Sequence, residues 1–530
     1  MLLGISGVAV LLYGRQITES VRKTSLLNRT IRHALTKKPP CPECNILLIN
    51  LDTLRPSEMP CYGYFRDTSP NLCAYAASNQ RFTNFYTQTS FTLDSHMSIF
   101  TGLYPSTHHM VEALKDFLNP AIPTLAKTLK DNGYHTVWAG VTDDVNLPLD
   151  RGMGTGFDEF YTLDGKEPDW VSKYVKLLPK FLEDKPTFMF LHSYGVHSPY
   201  LVGKGPYRFL TRVKPSVPLT EDEFQAKSRG FFEFVLAEFT DRLRASNTKE
   251  SKERNGAIVR ELSRAIRAND LDKAEQITWE FPGYESYSLY MSWYYRQLSE
   301  VGTAVDAATI DYLKTLYDER IYQVDQQLMP LLAFLNRPEV KKKTIVIFLS
   351  DNGEEFMEHG FLDHGWNIYN TATHAPLILA VPGMKNGVHH DLVQAIDIMP
   401  TLLDLVGIPA QGPMEGMSIL PLLEGRGLSY IGERYLIGQY SGGDIVSIRN
   451  NRWKMYKNTR PRAYVELFDL LKDPLEQNNV LGEHLDIAGR LDEVLTRQLN
   501  ASPKYAPVTG DFPSWLDEEK RNSLKNAGYF

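Results

Sequence analysis

The sequence predicts an α/β fold with a mostly parallel central sheet that is flanked by helices. Short apolar runs rich in β-branched residues alternate along the chain with longer stretches of helical pattern. A continuous apolar run is typical of a strand buried on both faces, as the strands of parallel sheets are. With 530 residues, the chain is long enough for one large domain with additions or for two domains.

Apolar runs with this character predict the buried strands. They are Asn45–Leu51 (NILLINL), residues 136–141 (TVWAGV), residues 187–191 (TFMFL), Thr344–Leu349 (TIVIFL) and residues 376–381 (PLILAV). Helices are expected between them, for example over residues 121–132 and 310–335, where apolar residues recur at helical spacing. Strands that alternate with helices are expected to form a parallel sheet.

A long interval separates the third and fourth predicted strands. Residues 201–306 have a helical pattern and many charges, which predicts a helical insertion into the α/β domain. Residues 443–456 predict a hairpin with an Asn-Asn turn, and residues 465–471 predict a further strand. The expected division is an N-terminal tail or partial membrane anchor (residues 1–40), an α/β domain (41–425) and a small C-terminal subdomain with an antiparallel sheet and a tail (426–530).

The composition is that of a globular protein and gives no sign of a nucleic-acid partner. Hydrophobic residues make up 43% of the chain, charged residues make up 23%, and the net charge is −7. A nucleic-acid-binding surface needs a clustered basic excess, so we expect no nucleic acid. Any phosphate or sulfate chemistry must therefore come from a local site.

Four cysteines lie near the start of the predicted α/β domain, at Cys41, Cys44, Cys61 and Cys73. The spacing of Cys41 and Cys44 occurs in redox motifs and in halves of zinc sites. A zinc site needs a second matching pair, which Cys61 and Cys73 do not supply. We therefore expect one or two disulfides, or free thiols.

The N-terminal segment leaves its relation to a membrane open. Residues 1–14 (MLLGISGVAVLLYG) form an apolar run that is shorter than the ~20 residues of a membrane span. No basic residue precedes the run and no clear cleavage site follows it, so it is a poor signal peptide. The run is either the end of a membrane helix or a helix lying on the protein or on a bilayer surface. The expected location is extracytoplasmic or membrane-associated.

Polar side chains follow the predicted parallel strands at their carboxyl ends, where open α/β sheets bind ligands. Asp52 follows the first strand, His192 and His197 follow the third, and Asp351 and Asn352 follow the fourth. A single strand-end Asp is more often a helix cap than a ligand. As a group, however, these residues predict a divalent-metal site. Oxygen ligands suit calcium, magnesium or manganese, and added histidine favours manganese or zinc.

Several segments resemble the sulfatase family of the alkaline-phosphatase superfamily. Residues 45–70 resemble the opening of these enzymes, 91–105 (FTLDSHMSIFTGLYP) their nucleophile segment and 350–360 (SDNGEEFMEHG) their second metal-binding segment. Residues 399–409 and 466–479 resemble further landmarks in family order. The resemblance implies a sulfatase-like fold and activity on sulfate or phosphate esters.

The resemblance also implies a nucleophile and a metal site. Aligning Thr101 and Gly102 with the closing Thr-Gly of the family segment puts Thr92 at the nucleophile position. One divalent ion (calcium, manganese, magnesium or zinc) is implied, with ligands at Asp52, Thr92, Asp351 and Asn352.

Further residues are implied to act on the substrate. The resemblance puts His197 close to the leaving group, and it puts His364 in contact with the transferred group, ahead of Tyr369. Additional substrate contacts are expected at Asp94, His96 and His192.

Departures from the family pattern bear on the chemistry. Sulfatases oxidise a Cys or Ser to formylglycine, but oxidation of the secondary alcohol of Thr92 would give a ketone, so that route is closed. Relatives with an unmodified threonine look like phosphoethanolamine and phosphoglycerol transferases, which act on phosphodiesters. The pair Asp351 and Asn352 stays sulfatase-like. Other family positions are replaced by Thr53, Asp94, His96, Val141 and Asp143.

The sequence therefore predicts a metal-dependent hydrolase or transferase that acts through Thr92, on phosphodiesters in preference to sulfate esters. The substrate is expected to be a small-molecule, lipid-linked or glycan ester. The alternative is a binding or scaffolding protein that kept the fold and lost catalysis. The replaced Lys, Arg and His positions favour that alternative, whereas the retained ligand positions favour the enzyme.

Simpler interpretations exist for individual residues. Thr92 fits a helix N-cap nearly as well as a nucleophile. Glu354 and Glu355 are either partners of the metal ligands or solvated loop charge. The remaining histidines are expected at the surface or beside the ligands, and they are His108, His109, His359, His389 and His390.

Overall fold

The computed structural model describes most of residues 39–200 and of residues 307–510, and it describes part of the segment between them. The described residues are 39–142, 146–163, 170–182, 185–198, 200, 249–268, 307–428, 433–440, 443–459 and 463–510, with isolated positions between 208 and 277. Residues 1–38 and most of the insertion expected at 201–306 lie outside this set. Within the described residues, no helix has both the length and the apolar character of a membrane span.

The strands and helices are numbered here in chain order. The described strands are β1 Asn45–Leu51, β2 Gln80–Tyr86, β3 Asp116–Phe117, β4 His135–Gly140, β5 Glu159–Thr162, β6 Thr187–Ser193, β7 Thr344–Leu349, β8 Glu355–Phe356, β9 Leu362–Asp363, β10 His374–Ala380, β11 Gly387–His389, β12 Val393–Gln394, β13 Leu436–Tyr440, β14 Ile445–Arg449, β15 Trp453–Asn458, β16 Tyr464–Asp469 and β17 Val508–Thr509. The described helices are α1 Pro70–Ala77, α2 Thr92–Thr101, α3 Pro105–His108, α4 Leu125–Asp131, α5 Trp170–Val175, α6 Lys249–Arg267, α7 Ala307–Gln327, α8 Met329–Leu335, α9 Pro338–Lys341, α10 Asn370–Thr373, α11 Ile398–Val406, α12 Leu420–Leu423 and α13 Leu485–Ala501.

A mixed sheet forms the centre of the molecule, with nine strands among the described residues. Its order is β11-β2-β10-β7-β1-β6-β4-β5, and β12 pairs with β2. The strands β7, β1, β6, β4 and β5 are mutually parallel, whereas β10 is antiparallel to both of its neighbours. The prediction of a mostly parallel sheet is confirmed.

Helices cover both faces of the sheet because its central strands are apolar on both sides. Along β1, Ile46 and Leu48 enter one hydrophobic core, and Leu47 and Ile49 enter the core on the opposite face. Every residue of β1, β6 and β7 is buried. This two-sided burial is the physical reason for the continuous apolar runs in the sequence.

Some predicted elements differ from the observed ones. The expected helix over residues 310–335 is two helices, α7 and α8, and Pro330 lies in the first turn of α8, where a missing backbone N–H is tolerated. The fifth expected strand, residues 376–381, is β10, which joins the sheet in the antiparallel direction. Strands β2, β5 and β13 had no counterpart in the sequence-based prediction.

The C-terminal part contains the predicted antiparallel sheet. Its described strands have the order β13-β14-β15-β16, and the expected hairpin is β14–β15, with Asn450 and Asn451 in its turn. Helix α13 packs on this sheet, with Leu491 and Leu495 in one core with Ile448 and Met455. The domain boundaries themselves stay predictions.

The four cysteines form two disulfides. Cys41 is bonded to Cys44 just before β1, and Cys61 is bonded to Cys73. The second bond ties the loop that follows β1 to the first turn of α1. The sequence left disulfides and free thiols open, and the structure has two disulfides.

Candidate active site

Three adjacent parallel strands bring the predicted ligands to one edge of the sheet. Strand β1 lies between β6 and β7, and Asn50 is aligned with His192 on one side and with Leu349 on the other. Asp52 and Asp351 therefore follow neighbouring strand ends. The backbone N–H of Asp52 extends the ladder by donating to the carbonyl of Ser193, at 3.1 Å.

The carboxylate of Asp351 is fully buried in a polar network. It accepts hydrogen bonds from the Asn50 Nδ2, at 2.8 Å, and from the Asn352 Nδ2, at 3.1 Å, and the His96 Nδ1 lies 3.5 Å away. Burial, and next the charge of Asp52, raise the pKa of Asp351 to about 6. A carboxylate in this position is stabilised by a nearby cation.

Asp52 is the second buried carboxylate of the site. Its Oδ2 lies 3.2 Å from the His192 Nε2, and the His192 ring packs edge-on against His96, with centroids 5.1 Å apart. Both histidine rings are fully buried, and these contacts join them to the two carboxylates. Substrate contact by His96 and His192 stays a prediction.

Thr92 is the first residue of α2, at the same edge of the sheet. The N-cap position belongs to Phe91, and no side chain forms a capping hydrogen bond there, so the N-cap alternative for Thr92 is wrong. The Ser95 hydroxyl donates to the Asp351 carbonyl, which ties the first turn of α2 to the end of β7. Burial raises the pKa of Asp94, in the same turn, well above its usual value.

The two candidate catalytic histidines lie side by side. The rings of His197 and His364 are perpendicular, with centroids 4.7 Å apart. One carboxylate oxygen of Asp52 and one ring nitrogen from each histidine lie within 4.8 Å of one another. The structure thus brings both residues to the ligand edge.

Two carboxylates hold His364: Glu354, which the sequence offered as a partner of the metal ligands, and Asp363, which it did not single out. The His364 Nδ1 lies 2.6 Å from the Asp363 Oδ1 and 3.2 Å from the Glu354 Oε1. Asp363 also accepts a hydrogen bond from the Ser198 hydroxyl at its Oδ2, at 3.0 Å. Burial alone would lower the pKa of His364, but Asp363 and Glu354 raise it well above its usual value.

The solvated-loop alternative for Glu354 and Glu355 is wrong, since both side chains are fully buried. Glu355 accepts from the Thr371 hydroxyl, and its Oε1 lies 3.0 Å from the His359 Nδ1. The ring of His359 stacks on Tyr369, with centroids 3.8 Å apart. The sequence signal that could have found Asp363 is its position directly before a candidate histidine.

A family model named Sulfatase matches residues 44–408, which is more than half of the chain. The chain belongs to the sulfatase family. A second model, for the C-terminal region of N-sulphoglucosamine sulphohydrolase, matches residues 357–502. This family consists of ester hydrolases. The resemblance that was drawn from the sequence segments is confirmed.

Curated relatives match this sulfatase-family chain at modest identity. An N-acetylglucosamine-6-O-sulfatase of Bacteroides thetaiotaomicron is 23% identical, over 84% of this chain and 83% of the relative. A choline-sulfatase of Rhizobium meliloti is 24% identical, over 82% of each. Human arylsulfatase K is 29% identical, but the match spans only 38% of this chain and 39% of that protein.

Solved structures share the fold of this sulfatase-family chain. A phosphonate monoester hydrolase from Silicibacter pomeroyi has a TM-score of 0.61 at 19% identity, covering 89% of this chain and all (100%) of that one. A protein bound to its substrate D-glucosamine-2-N,6-O-disulfate has a TM-score of 0.57 at 20% identity, covering 87% and 98%. At these identities, the likeness establishes the fold alone.

Sulfatases generally use a divalent metal, and the residues at this edge fit one. The Asn352 Oδ1 is buried and has no hydrogen-bond partner among the described residues, whereas its amide Nδ2 donates to Asp351. Asn352 contacts the buried carboxylate of Asp351, and the pKa of Asp351 is in turn raised by the charge of the buried Asp52. Such an oxygen-rich set is what calcium, magnesium or manganese prefers.

Proposed function

We propose that this sulfatase-family protein cleaves phosphate esters, with phosphodiesters preferred, through Thr92 and one divalent cation. The observation that supports the proposal is the position of Thr92, whose hydroxyl cannot be converted to formylglycine. Thr92 is the first residue of α2, and the Ser95 hydroxyl ties that helix to the backbone of Asp351. The N-terminal end of a helix favours negative charge, which supports an alkoxide there. Asp52, Thr92, Asp351 and Asn352 are the proposed ligands.

The cation would supply charge neutralisation for the alkoxide of Thr92 and for the phosphoryl oxygens. The Thr92 Oγ attacks phosphorus and releases its proton to solvent, while the bond from phosphorus to the leaving oxygen breaks. His197 gives its proton to that oxygen. His364, kept cationic by Asp363 and Glu354, holds a non-bridging oxygen.

The second half of the reaction restores Thr92. Water attacks the phosphothreonine, the bond between phosphorus and the threonine oxygen breaks, and one proton of the water passes to that oxygen. The phosphoryl group leaves as a phosphate or phosphate monoester that carries the water oxygen. An acceptor alcohol in place of water would make the same site a transferase. We propose hydrolysis, because the chain belongs to a family of hydrolases.

Hydrolysis of a sulfate ester is the second candidate. It is favoured by the relatives that match over four fifths of the chain, which are a choline-sulfatase and an N-acetylglucosamine-6-O-sulfatase. Their names indicate small-molecule and glycan esters, and we propose the same substrate size class here. We include lipid-linked esters among the proposed substrates.

The test is release of nitrophenol from an aryl phosphodiester, an aryl phosphate monoester and an aryl sulfate, each with added calcium, manganese or zinc. Thr92→Val replaces the hydroxyl by a methyl group at nearly constant volume. Thr101→Val is the matched control at the other end of α2, where the hydroxyl bonds to the Met97 carbonyl. We expect phosphodiester turnover that Thr92→Val abolishes and Thr101→Val retains.

Other outcomes are equally informative. Faster sulfate turnover would replace the phosphodiester proposal with the second candidate. Turnover that survives in Thr92→Val would contradict the threonine mechanism. A lack of turnover with every ester and metal would favour a binding or scaffolding protein on the same fold.

We also propose an extracytoplasmic location. Both disulfides need an oxidising compartment to form and persist, as found outside the cytoplasm. Membrane association through residues 1–14 concerns a segment outside the described residues. Fractionation of the native source, followed by thiol labelling, tests the location, and labelled cysteines in a cytoplasmic fraction would contradict it.

A further inference from the structure

Arg55 is a buried cation in the loop that follows β1, and the proposed mechanism does not use it. Its side chain is only 5% exposed. We propose that Arg55 is a positioning residue, whose guanidinium fixes the hairpin β8–β9 and thereby the place of His364. The expected effect on turnover rests on the proposed function, because His364 acts on the substrate there.

The backbone at Arg55 is itself held firmly. The Tyr317 hydroxyl donates to the Thr53 carbonyl, at 2.6 Å, and accepts from the backbone N–H of Arg55, at 2.9 Å. The backbone N–H of Leu54 donates to the Ser350 hydroxyl, at 3.0 Å, just after the end of β7. The side chain of Arg55 therefore extends from a fixed place beside the ends of β1 and β7.

The guanidinium of Arg55 joins two separate segments of the chain. Its Nε donates to the Ser57 hydroxyl, at 3.1 Å, and lies 3.0 Å from the Glu58 Oε2, so this edge contacts its own loop. Its Nη1 donates to the Glu354 carbonyl, at 2.7 Å, and to the Glu358 Oε1, at 3.1 Å. Because the guanidinium is planar and rigid, these bonds fix the distance between the loop and the start of the hairpin β8–β9.

The hairpin β8–β9 connects this anchor to His364. Within it, Glu355 is aligned with Asp363, which directly precedes His364 and lies 2.6 Å from its Nδ1. Glu354, whose carbonyl accepts from Arg55, contacts the same nitrogen through its Oε1, at 3.2 Å. A shift of β8 would therefore displace both carboxylates that hold His364.

A second cation, Lys314 on α7, contacts the same hairpin and does not duplicate Arg55. The Lys314 Nζ lies 3.2 Å from the Glu358 Oε1, and its side chain is 37% exposed. Lys314 and Arg55 both lie over the Phe356 ring, each 5.7 Å from its centroid. Within the described part of the chain, however, Lys314 donates no hydrogen bond to the hairpin backbone, whereas Arg55 does. The backbone position of β8 therefore depends on Arg55.

A purely structural ion pair is the simpler interpretation of Arg55. Loss of this buried cation would leave Glu58 and Glu358 uncompensated, which destabilises a protein whatever its catalytic role. Arg55→Lys separates the two roles because it keeps the positive charge. A single ammonium group cannot reproduce the contacts that Nε and Nη1 make on two edges of the guanidinium, so the bond to the Glu354 carbonyl is lost.

Steady-state kinetics of Arg55→Lys, on the ester that the wild type hydrolyses fastest, test this role. We expect kcat to fall at least about tenfold and KM to stay within about threefold, because a misplaced His364 weakens its contact in the transition state most. Arg66→Lys is the matched control and should retain the kcat of the wild type. Arg66 is in the same loop, pairs with the buried Asp318 at 2.7 Å and lies over the Phe65 ring, but its contacts among the described residues lie outside the hairpin β8–β9.

Amide hydrogen exchange of the same proteins gives a second test that needs no turnover. We expect peptides from residues 354–363 to exchange about tenfold faster in Arg55→Lys than in the wild type or Arg66→Lys, with β14–β15 unchanged. A wild type without turnover on any ester would contradict the proposed function alone, and the exchange rates then decide the inference. A wild-type kcat in Arg55→Lys, unchanged exchange of residues 354–363, or faster exchange throughout the molecule would each overturn it.

Discussion

Among the single residues, Thr92 matters most for the proposed function, because its type decides which chemistry the site can perform. The sequence located it by alignment with a closing Thr-Gly, and the structure adds that it begins α2 and does not act as its N-cap. The burial of Asp94, His96 and His192 could not be derived from the sequence. Their surroundings are set by strands and helices far away in the chain.

We expect Asp363→Ala to lower kcat/KM about tenfold to a hundredfold, the usual cost of removing a residue that orients an active-site histidine. The change removes one of the two carboxylates that contact the His364 Nδ1, and with it the acceptor of the Ser198 hydroxyl. Steady-state kinetics on the best aryl ester measure the effect.

Ser198→Ala is the control for this prediction, since it removes a hydrogen bond to Asp363 but leaves the carboxylate in place, and it should cost about fivefold. Equal activity of Asp363→Ala and the wild type would show that His364 does not need its carboxylate partner.

At the scale of the element, strand ends and one tight loop position the ligands. The runs NILLINL and TIVIFL predicted β1 and β7 with their observed bounds because both faces of these strands are buried. Strand β2 was missed because its sequence, QRFTNFY, mixes polar and apolar residues and is only partly buried. The direction of β10 was missed because an apolar run carries no information on orientation.

The loop after Asn352 depends on Gly353. A Cβ at this position would lie 2.1 Å from the Thr371 carbonyl oxygen, and the Gly353 N–H donates to the Ala372 carbonyl at 2.8 Å. Gly353→Ala must displace one of these segments and is expected to cost about 1–3 kcal/mol. It should lower the Tm and weaken calcium or manganese binding, since Asn352 moves with the loop.

Gly489→Ala is the contrasting variant. Gly489 lies inside α13, and a Cβ there meets nothing within 4 Å. Replacing a helical glycine by alanine should stabilise the protein by about 0.5–1 kcal/mol and leave metal binding unchanged. Calorimetry measures the melting temperature and the metal affinity of both variants. A Gly353→Ala protein with the melting temperature and metal affinity of the wild type would contradict the close approach of position 353 to the Thr371 carbonyl.

At the scale of the whole molecule, the C-terminal sheet supports the active-site loop. Lys454, on β15, forms a buried ion pair with Glu476 at 2.7 Å and donates to the Ile368 carbonyl at 2.8 Å. The backbone N–H of Asn370 donates to Glu476 as well. Residues 368–370 follow His364 closely, so the sheet and the site are expected to unfold together.

Lys454→Met leaves Glu476 buried without its cation and is expected to cost about 3–5 kcal/mol. Lys457→Met is the control on the same strand, because Lys457 pairs with Asp492 at an exposed position and should change stability by less than about 1 kcal/mol. Thermal melting compares them. Similar melting temperatures for the two variants would show that the buried pair does not stabilise the protein.

The network between the C-terminal sheet and the active-site loop marks the limit of sequence-based prediction for the whole chain. The hairpin β14–β15 was predicted from its Asn-Asn turn, but the contact of Lys454 with Glu476 and Ile368 joins three separate segments. The pairing of His364 with Glu354 and with Asp363 joins parts of one loop that only its fold brings together. Side-chain partners of this kind depend on packing, and local patterns do not encode them.

The most direct test of Thr92 as the nucleophile is mass spectrometry of the protein after it has been mixed with an aryl phosphodiester and quenched in acid. We predict a phosphoryl group on the peptide that contains Thr92, at a level that rises with substrate and disappears in Thr92→Val. Phosphodiester turnover without any such modification, or with the phosphoryl group on another residue, would contradict Thr92 as the nucleophile.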